Sequence, residues 1–316
     1  MQETYTNKRP NDFDDEIDLQ ELFNVLLEGK WIIVSLTAFV SILGVIFSLS
    51  LPNIYESKAL LVPVNTSSSV AGALGGYSSL AGLAGINLSS GGDEGNSEKA
   101  IKKISSLSFF ENNIITNIHL PDLMAYKAWD SQANLHIYDE NIYDTNTNTW
   151  VRNYSYPIQQ IPSAQESYEV FKSKHLTFSE EKKSGFSTLS IKHQSPFVAK
   201  QWAELIVNEV NSYYRQKDKS ESEKAVSYLN QQISMTSLSE IKQVLAQLLQ
   251  EETKKLALIE ANKFYVFDYI DPPAVMEKKS EPIRSLISIL SSLIGGILSI
   301  FLVLIRHYVF KEKNTP

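Results

Sequence analysis

The sequence predicts an α+β protein: a membrane-proximal α/β base with a long projecting α-helical hairpin, flanked by two transmembrane helices. Three observations predict it. Residues 31–51 and 285–305 are two runs of 21 residues without a charge. At ~1.5 Å rise per residue, each crosses a hydrocarbon core about 30 Å thick. Strand-like segments lie just inside both runs. Between them, apolar residues at helical spacing run from Trp202 to Tyr213 and again from Val226 to Ile233, with no Gly or Pro from 202 to 233.

The chain has 316 residues, no cysteine and a net charge of −7. Residues 1–30 are expected to be a cytoplasmic tail. They are acidic (Asp12, Asp14, Asp15, Glu16, Asp18, Glu21), whereas a cleaved signal peptide would carry basic residues there, so 31–51 is expected to remain as an anchor. Lys30, Arg306, Lys311 and Lys313 favour both short ends inside, while Lys278, Lys279 and Arg284 lie on the other side of the second run. The resulting organisation has a tail at 1–30, a first span at 31–51 and a domain at 52–284. A second span at 285–305 and a cytoplasmic tail at 306–316 complete it.

Within the domain, 54–64 reads as a strand stopped by Pro63. Residues 70–92 are almost entirely Ala, Gly, Ser and Leu, which predicts a loop; a small-residue patch against another copy or the membrane is the alternative. Ile101, Ile104, Leu107, Phe110, Ile114, Ile115 and Ile118 give one helical face that Pro121 should end. Residues 122–161 mix Tyr and Trp with Asp and Asn, including a hairpin-like 142–151. An ordinary loop region with a small aromatic core is favoured over a sugar-binding surface.

Ser163 to Glu166 is a capping box opening a short helix. Residues 176–181 and 186–193 predict a β-hairpin. Ser195-Pro196 opens the long helix, with Trp202, Val210, Tyr213 and Leu229 on its apolar stripe. Residues 215–224 are wholly polar and read as a solvated stretch. A second capping box, Ser237 to Glu240, starts the return helix carrying Leu245 and Leu248. The hairpin spans about 196–262, with arms of about 39 and 25 residues, the first roughly 58 Å long. Residues 264–270 form a strand by composition and complete a base at 52–195 and 264–271. A Pro-containing segment, 272–284, leads into the second span. The two strands, if paired, run antiparallel.

Catalytic chemistry is not expected. The chain has no phosphate-binding Gly-rich loop and no cysteine nucleophile, and only 11 residues follow the second span, so no kinase domain is expected. His119, His136, His175, His193 and His307 show no metal-ligand spacing. His175 and His193 flank the predicted hairpin, and a structural pair is favoured over a metal site. No catalytic, cofactor or metal residue is assigned. The acidic balance disfavours nucleic acid. In the second span, Ser288, Ser292 and Gly296, and likewise Ser291, Gly295 and Ser299, lie four apart. Such spacing lets helices approach closely in lipid. The partner is either the first span, through Ser41, Gly44 and Ser48, or another copy.

The ordered set of features resembles the chain-length determinants of bacterial surface polysaccharides, the Wzz-type polysaccharide co-polymerases. The resemblance rests on Asp15 to Leu19 with Leu22, Lys30 and Trp31, and on Tyr55 to Ala59. It continues through Leu189 to Ile191, Ser195-Pro196, Ala199, Trp202, Val210-Asn211 and Arg215, and then Val226 to Gln232. At the end, Pro272, Pro273, Pro282 and Arg284 precede Leu286, Leu290, Gly295 and Gly296. Between Pro273 and Pro282 the chain departs from the family's more regular prolines.

The resemblance implies a non-enzymatic inner-membrane protein with its large domain in the periplasm. It implies a ring-like homo-oligomer, an octamer among the candidate sizes, that sets the modal length of O-antigen of lipopolysaccharide or a related polymer. An integral-membrane polymerase is the implied partner and lipid-linked glycan a further one. Pro272, Pro273, Pro282, Arg284, Ser288, Ser291, Ser292, Gly295, Gly296 and Ser299 are assigned to assembly and polymerase contact. Trp202, Val210, Tyr213, Leu229, Leu245 and Leu248 are assigned to the oligomer hairpin. The alternatives are a capsule or exopolysaccharide export adaptor, working with a separate tyrosine kinase and an outer-membrane channel, and a membrane-tethered polysaccharide enzyme.

Overall fold

The computed structural model describes residues 19–64, 94–181 and 185–311. The expected loop at 70–92, most of the N-terminal tail and the last residues of the C-terminal tail lie outside them. In chain order the elements are α1 (Leu19–Glu28), α2 (Lys30–Ser50), β1 (Tyr55–Pro63), α3 (Glu94–Ile104) and α4 (Leu120–Met124). Then come β2 (Tyr126–Asp130), β3 (Leu135–Tyr138), β4 (Tyr143–Asp144), β5 (Thr149–Trp150), α5 (Ala164–Val170), β6 (Leu176–Glu181) and β7 (Phe186–His193). The chain ends with α6 (Pro196–Met235), α7 (Ser239–Ala261), β8 (Phe267–Asp271) and α8 (Arg284–Lys311). They form two compact units: 1–52 with 281–316, and 53–280.

In the first unit, α2 and α8 are the two apolar helices. Only 6% and 17% of their most apolar windows are buried, whereas the core helix of a soluble domain is mostly covered. Helix α1 is an element that the reading of 1–30 as a tail did not contain.

The second unit is built on a four-stranded antiparallel sheet in the order β6-β7-β1-β8. The first and last strands do pair, in the antiparallel sense that pairing would require, with Pro63 opposite Phe267 and Val62 opposite Asp268. The β6–β7 hairpin also forms as expected, with Leu176 opposite Ile191. Helix α6 covers the sheet with Val198, Ala199, Trp202, Ala203, Ile206, Val207 and Val210, all buried. Phe109, Phe110, Ile114, Phe171 and Phe267 complete one continuous core. At ~1.5–3 kcal/mol per fully buried large side chain, this core is the main stabilising contribution.

Four expectations are corrected. The single helix expected along Ile101 to Ile118 is broken. After α3, Ser106 caps a new start by accepting the Phe109 N–H, and the chain continues through a π-helical turn at Phe110–Ile114 and a 3₁₀ turn at Ile115–Asn117. Pro121 does not end it but lies in the first turn of α4, where its missing N–H costs nothing. The Ser163 cap forms, with Glu166 N–H donating to Ser163 Oγ. The Ser237 cap does not: Leu238 is the N-cap of α7 and no side chain caps it. Finally, the strand predicted at 264–270 begins only at Phe267.

Candidate functional site

The assigned residues fall into three places. The first is the face between α2 and α8. Ser41 and Ser292 are hydrogen-bonded through their hydroxyls at 2.8 Å, and Thr37 Oγ1 and Ser299 Oγ at 3.3 Å. Each hydroxyl has one proton: Ser299 donates its own to Gly296 O, so Thr37 donates across, while of Ser41 and Ser292 one donates across and the other into its own helix, to Thr37 O or Ser288 O respectively. Such bonds keep hydroxyls satisfied where no water is present.

Gly44 and Gly295 are needed as glycines. A Cβ at Gly44 would overlap the Ser291 side chain, and one at Gly295 would lie 2.9 Å from Val40 Cβ. A Cβ at Gly296 would meet nothing within 4 Å. Of the two small-residue rows, Ser291, Gly295 and Ser299 therefore face α2. The other contributes through Ser292, while Ser288 bonds to Arg284 O of its own helix.

The second place is the Pro-containing segment. Pro272 is exposed and Pro273 is buried. The segment runs beside the start of β1. Ser57 Oγ donates to Ala274 O at 2.9 Å, and Ser280 N–H donates to Ile54 O at 2.8 Å. Pro282 and Arg284 belong to the unit of the two apolar helices.

The third place is the α6–α7 hairpin. Trp202 and Val210 lie inside the core of the base, at 2% and 0% exposure. Tyr213 is half-buried, with its ring edge-on to Phe109 and Lys103 over its face. Leu229, Leu245 and Leu248 form a small separate cluster between the two arms, flanked by Ile233, Val244 and Leu249.

The polar stretch at 215–224 is not simply solvated. Arg215 donates to Asn262 O at 2.7 Å and to Lys263 O, closing the C-terminal end of α7. Tyr265 OH donates to Asp218 at 2.6 Å, and Lys219 pairs with Glu260 at 2.5 Å. That hydrogen bond raises the pKa of Lys219 and lowers that of Glu260. Asn211, one turn earlier, is one of the residues that carry the resemblance, but its role is set by tertiary partners. Its Oδ1 accepts the N–H groups of Tyr265, Val266 and Phe267.

His175 and His193 are the neighbours the sequence suggested, with ring centroids 5.5 Å apart, both edge-on to Trp202. His193 accepts the Ser195 N–H on Nδ1 at 3.0 Å and donates from Nε2 to Asp122 O at 3.0 Å. His175 Nδ1 donates to Lys192 O at 2.6 Å. One neutral tautomer of each ring fits these partners. Burial holds both pKa values down at about 4. The Asp122 carboxylate accepts from Tyr138 OH at 2.6 Å and lies 3.3 Å from His136 Nδ1. Burial first, then that carboxylate, pushes the Tyr138 phenol up.

In 122–161 the expected hairpin is present as β4–β5. Tyr126, Tyr138, Tyr143 and Trp150 form the small aromatic core. Arg152 fixes the following loop, donating to Gln159 O, Gln160 O and the Glu166 carboxylate.

Residues 15–112 match the family model described as Wzz, chain length determinant protein. The resemblance drawn from the sequence is borne out there. No curated protein matches the chain. Among solved structures, it is similar to a full-length bacterial polysaccharide co-polymerase at 15% identity, covering 94% of this chain and all of that one, with a TM-score of 0.42. It is also similar to a fragment of WzzB, a polysaccharide co-polymerase from Salmonella Typhimurium, at 15% identity, covering 72% of this chain and all of that one, with a TM-score of 0.30.

Proposed function

We propose that this chain sets the modal length of a bacterial surface polysaccharide, O-antigen of lipopolysaccharide or a similar polymer. It does so as a regulator, not as a catalyst. The match of residues 15–112 to the chain length determinant family carries this reading. Two apolar helices bracketing a single domain support a two-pass inner-membrane protein with that domain in the periplasm and both termini in the cytoplasm.

In this reading the protein works as a ring-like homo-oligomer acting on an integral-membrane polymerase. Pro272, Pro273, Pro282, Arg284 and the small-residue rows of α8 serve assembly and polymerase contact, and the α6–α7 hairpin serves length setting. The test is the glycan length ladder of cells with and without the gene. A modal distribution that broadens on deletion, and returns on complementation, supports the reading. An unchanged ladder, or a purified protein that is a stable monomer in detergent, overturns it.

A further inference from the structure

Helix α1 belongs to the same unit as α2 and α8, and those two helices are its neighbours. At about 100° per residue, its side chains divide into distinct sides. Val25, 5% exposed, marks the side packed against the neighbours. Phe23 and Leu27 stand on the opposite side, 62% and 51% exposed. Asn24 and Glu28, both exposed, form a third side, and the half-buried Leu22 and Leu26 point away from them. The helix is apolar on every side but that of Asn24 and Glu28, and its own unit covers only part of this surface.

Position in the chain says what covers the rest. A Cβ on Gly29 would overlap Val303, so the ends of the two uncharged runs, at Trp31 and Ile305, lie side by side. If α2 and α8 cross a bilayer, this level is the edge of its hydrocarbon. Trp31, 77% exposed, stands there, where the water–lipid interface favours its ring. Leu27 and Phe23 follow from Trp31 at four-residue steps, so the exposed apolar face of α2, which lipid covers, runs on into α1. The headgroup layer is about 5–8 Å thick on each side of the core. A straight continuation of α2 would carry Phe23 about 12 Å past Trp31 and out of that layer. The chain does not continue straight. Gly29 has a ψ of 1°, outside the helical range, and its carbonyl accepts from both Ile32 and Ile33. Helix α1 is a separate helix that leaves the axis of α2 at this residue.

We propose that α1 lies along the headgroup layer on the side of the chain termini, with Phe23 and Leu27 in contact with acyl chains and Asn24 and Glu28 turned to water. The occupant of the uncovered apolar side is lipid. Helix α1 has no basic residue, so burial of apolar surface holds it there, and not attraction to anionic headgroups. Its covalent link to α2 makes the contact intramolecular, so two large side chains suffice. In that place α1 acts as a stop that fixes how deep α2 sits in the leaflet. The inference rests on the reading of α2 and α8 as spans.

The chain has no cysteine, so single labels are unambiguous. Phe23→Cys and Leu27→Cys and, as water-facing controls, Asn24→Cys and Glu28→Cys would each carry a nitroxide in the full chain. The protein would be reconstituted in phosphatidylethanolamine–phosphatidylglycerol vesicles, with Ile42→Cys and Ile294→Cys reporting on the spans. Collision with oxygen relative to a water-soluble nickel complex should be severalfold higher at 23 and 27 than at 24 and 28. Equal ratios at the four positions overturn the lipid contact of α1 while leaving the spans intact. Protection of 23 and 27 from both reagents overturns it in favour of a second copy or another protein. Water-exposed labels at 42 and 294 would instead overturn the span reading, and the placement of α1 with it.

Discussion

The side-chain amide of Asn211 pairs with both backbone polar groups of Phe267: Oδ1 accepts the N–H at 3.0 Å, and Nδ2 donates to the C=O at 3.0 Å. The same Oδ1 accepts from Tyr265 and Val266. Strand β8 is at the edge of the sheet, so no further strand satisfies these groups. Asn211 thereby fixes where the chain turns from the helical hairpin back into the sheet. Asn211→Ala leaves buried N–H groups without a partner, at ~1–3 kcal/mol each. A loss of about 3 kcal/mol is expected in denaturant unfolding of the full chain in detergent. A loss below about 1 kcal/mol, the ordinary scale of a single replaced hydrogen bond, would contradict this role.

The buried histidine pair makes a pH prediction. His175 and His193 are held at about 4, below the usual 6.5, by burial. The unfolded chain therefore binds more protons than the folded one between these values. The stabilisation is complete above pH 6.5 and is lost as pH falls towards 4, by up to about 3 kcal/mol per histidine. Protonated His193 would also set a new N–H against that of Ser195. Unfolding midpoints measured from pH 7.5 to 4.5 should fall steeply below 6.5. His193→Gln should be less stable at pH 7.5 and show a shallower fall. An identical slope in the variant would exclude His193 as a source.

Arg215 joins the two arms of the hairpin where they meet the base. Its guanidinium binds the carbonyls of Asn262 and Lys263, the C-cap residue of α7 and the one after it. A positive charge there also complements the helix dipole. Arg215→Gln should cost about 1–2 kcal/mol. The loss should appear as faster amide exchange in residues 252–262, with the β1–β7 ladder unaffected. Uniformly faster exchange across both would mean that Arg215 supports the whole domain instead.

Much of this architecture was legible because it depends on spacing. The apolar runs, the β6–β7 hairpin and the long helix from Pro196 follow from periodicity and turn residues, while chain order sets only the direction, and not the existence, of the pairing between the first and last strands. What was not legible depends on tertiary partners. The regular spacing from Ile101 to Ile118 reads as one helix, yet Ser106 caps a fresh start and the following turn widens to place Phe109 and Phe110 in the core together. The polar stretch at 215–224 reads as solvated because its partners, Glu260, Asn262 and Tyr265, are more than forty residues away. Gly295 and Gly296 fall in different small-residue rows, but which row packs closely is decided by the positions of Thr37 and Val40.

The α2–α8 pair gives the sharpest test of the small-residue rows, because the sequence left open whether they meet the first apolar helix or another copy. Ser41 Oγ and Ser292 Oγ lie 2.8 Å apart within one chain. In a chain without cysteine, Ser41→Cys with Ser292→Cys should oxidise to an intramolecular disulfide. It would be read as a faster-migrating monomer on a denaturing gel, abolished by reductant. Gly44→Val and Gly295→Val should each reduce its yield, since the added side chains meet Ser291 and Val40. Gly296→Val should not, because nothing stands within 4 Å of its Cβ position. Small residues matter in lipid because close backbone approach replaces the hydrophobic effect as the source of attraction. The yield should therefore follow the packing of each glycine and not its place in the row. Disulfide-linked dimers in place of the compact monomer would assign the rows to contacts between copies.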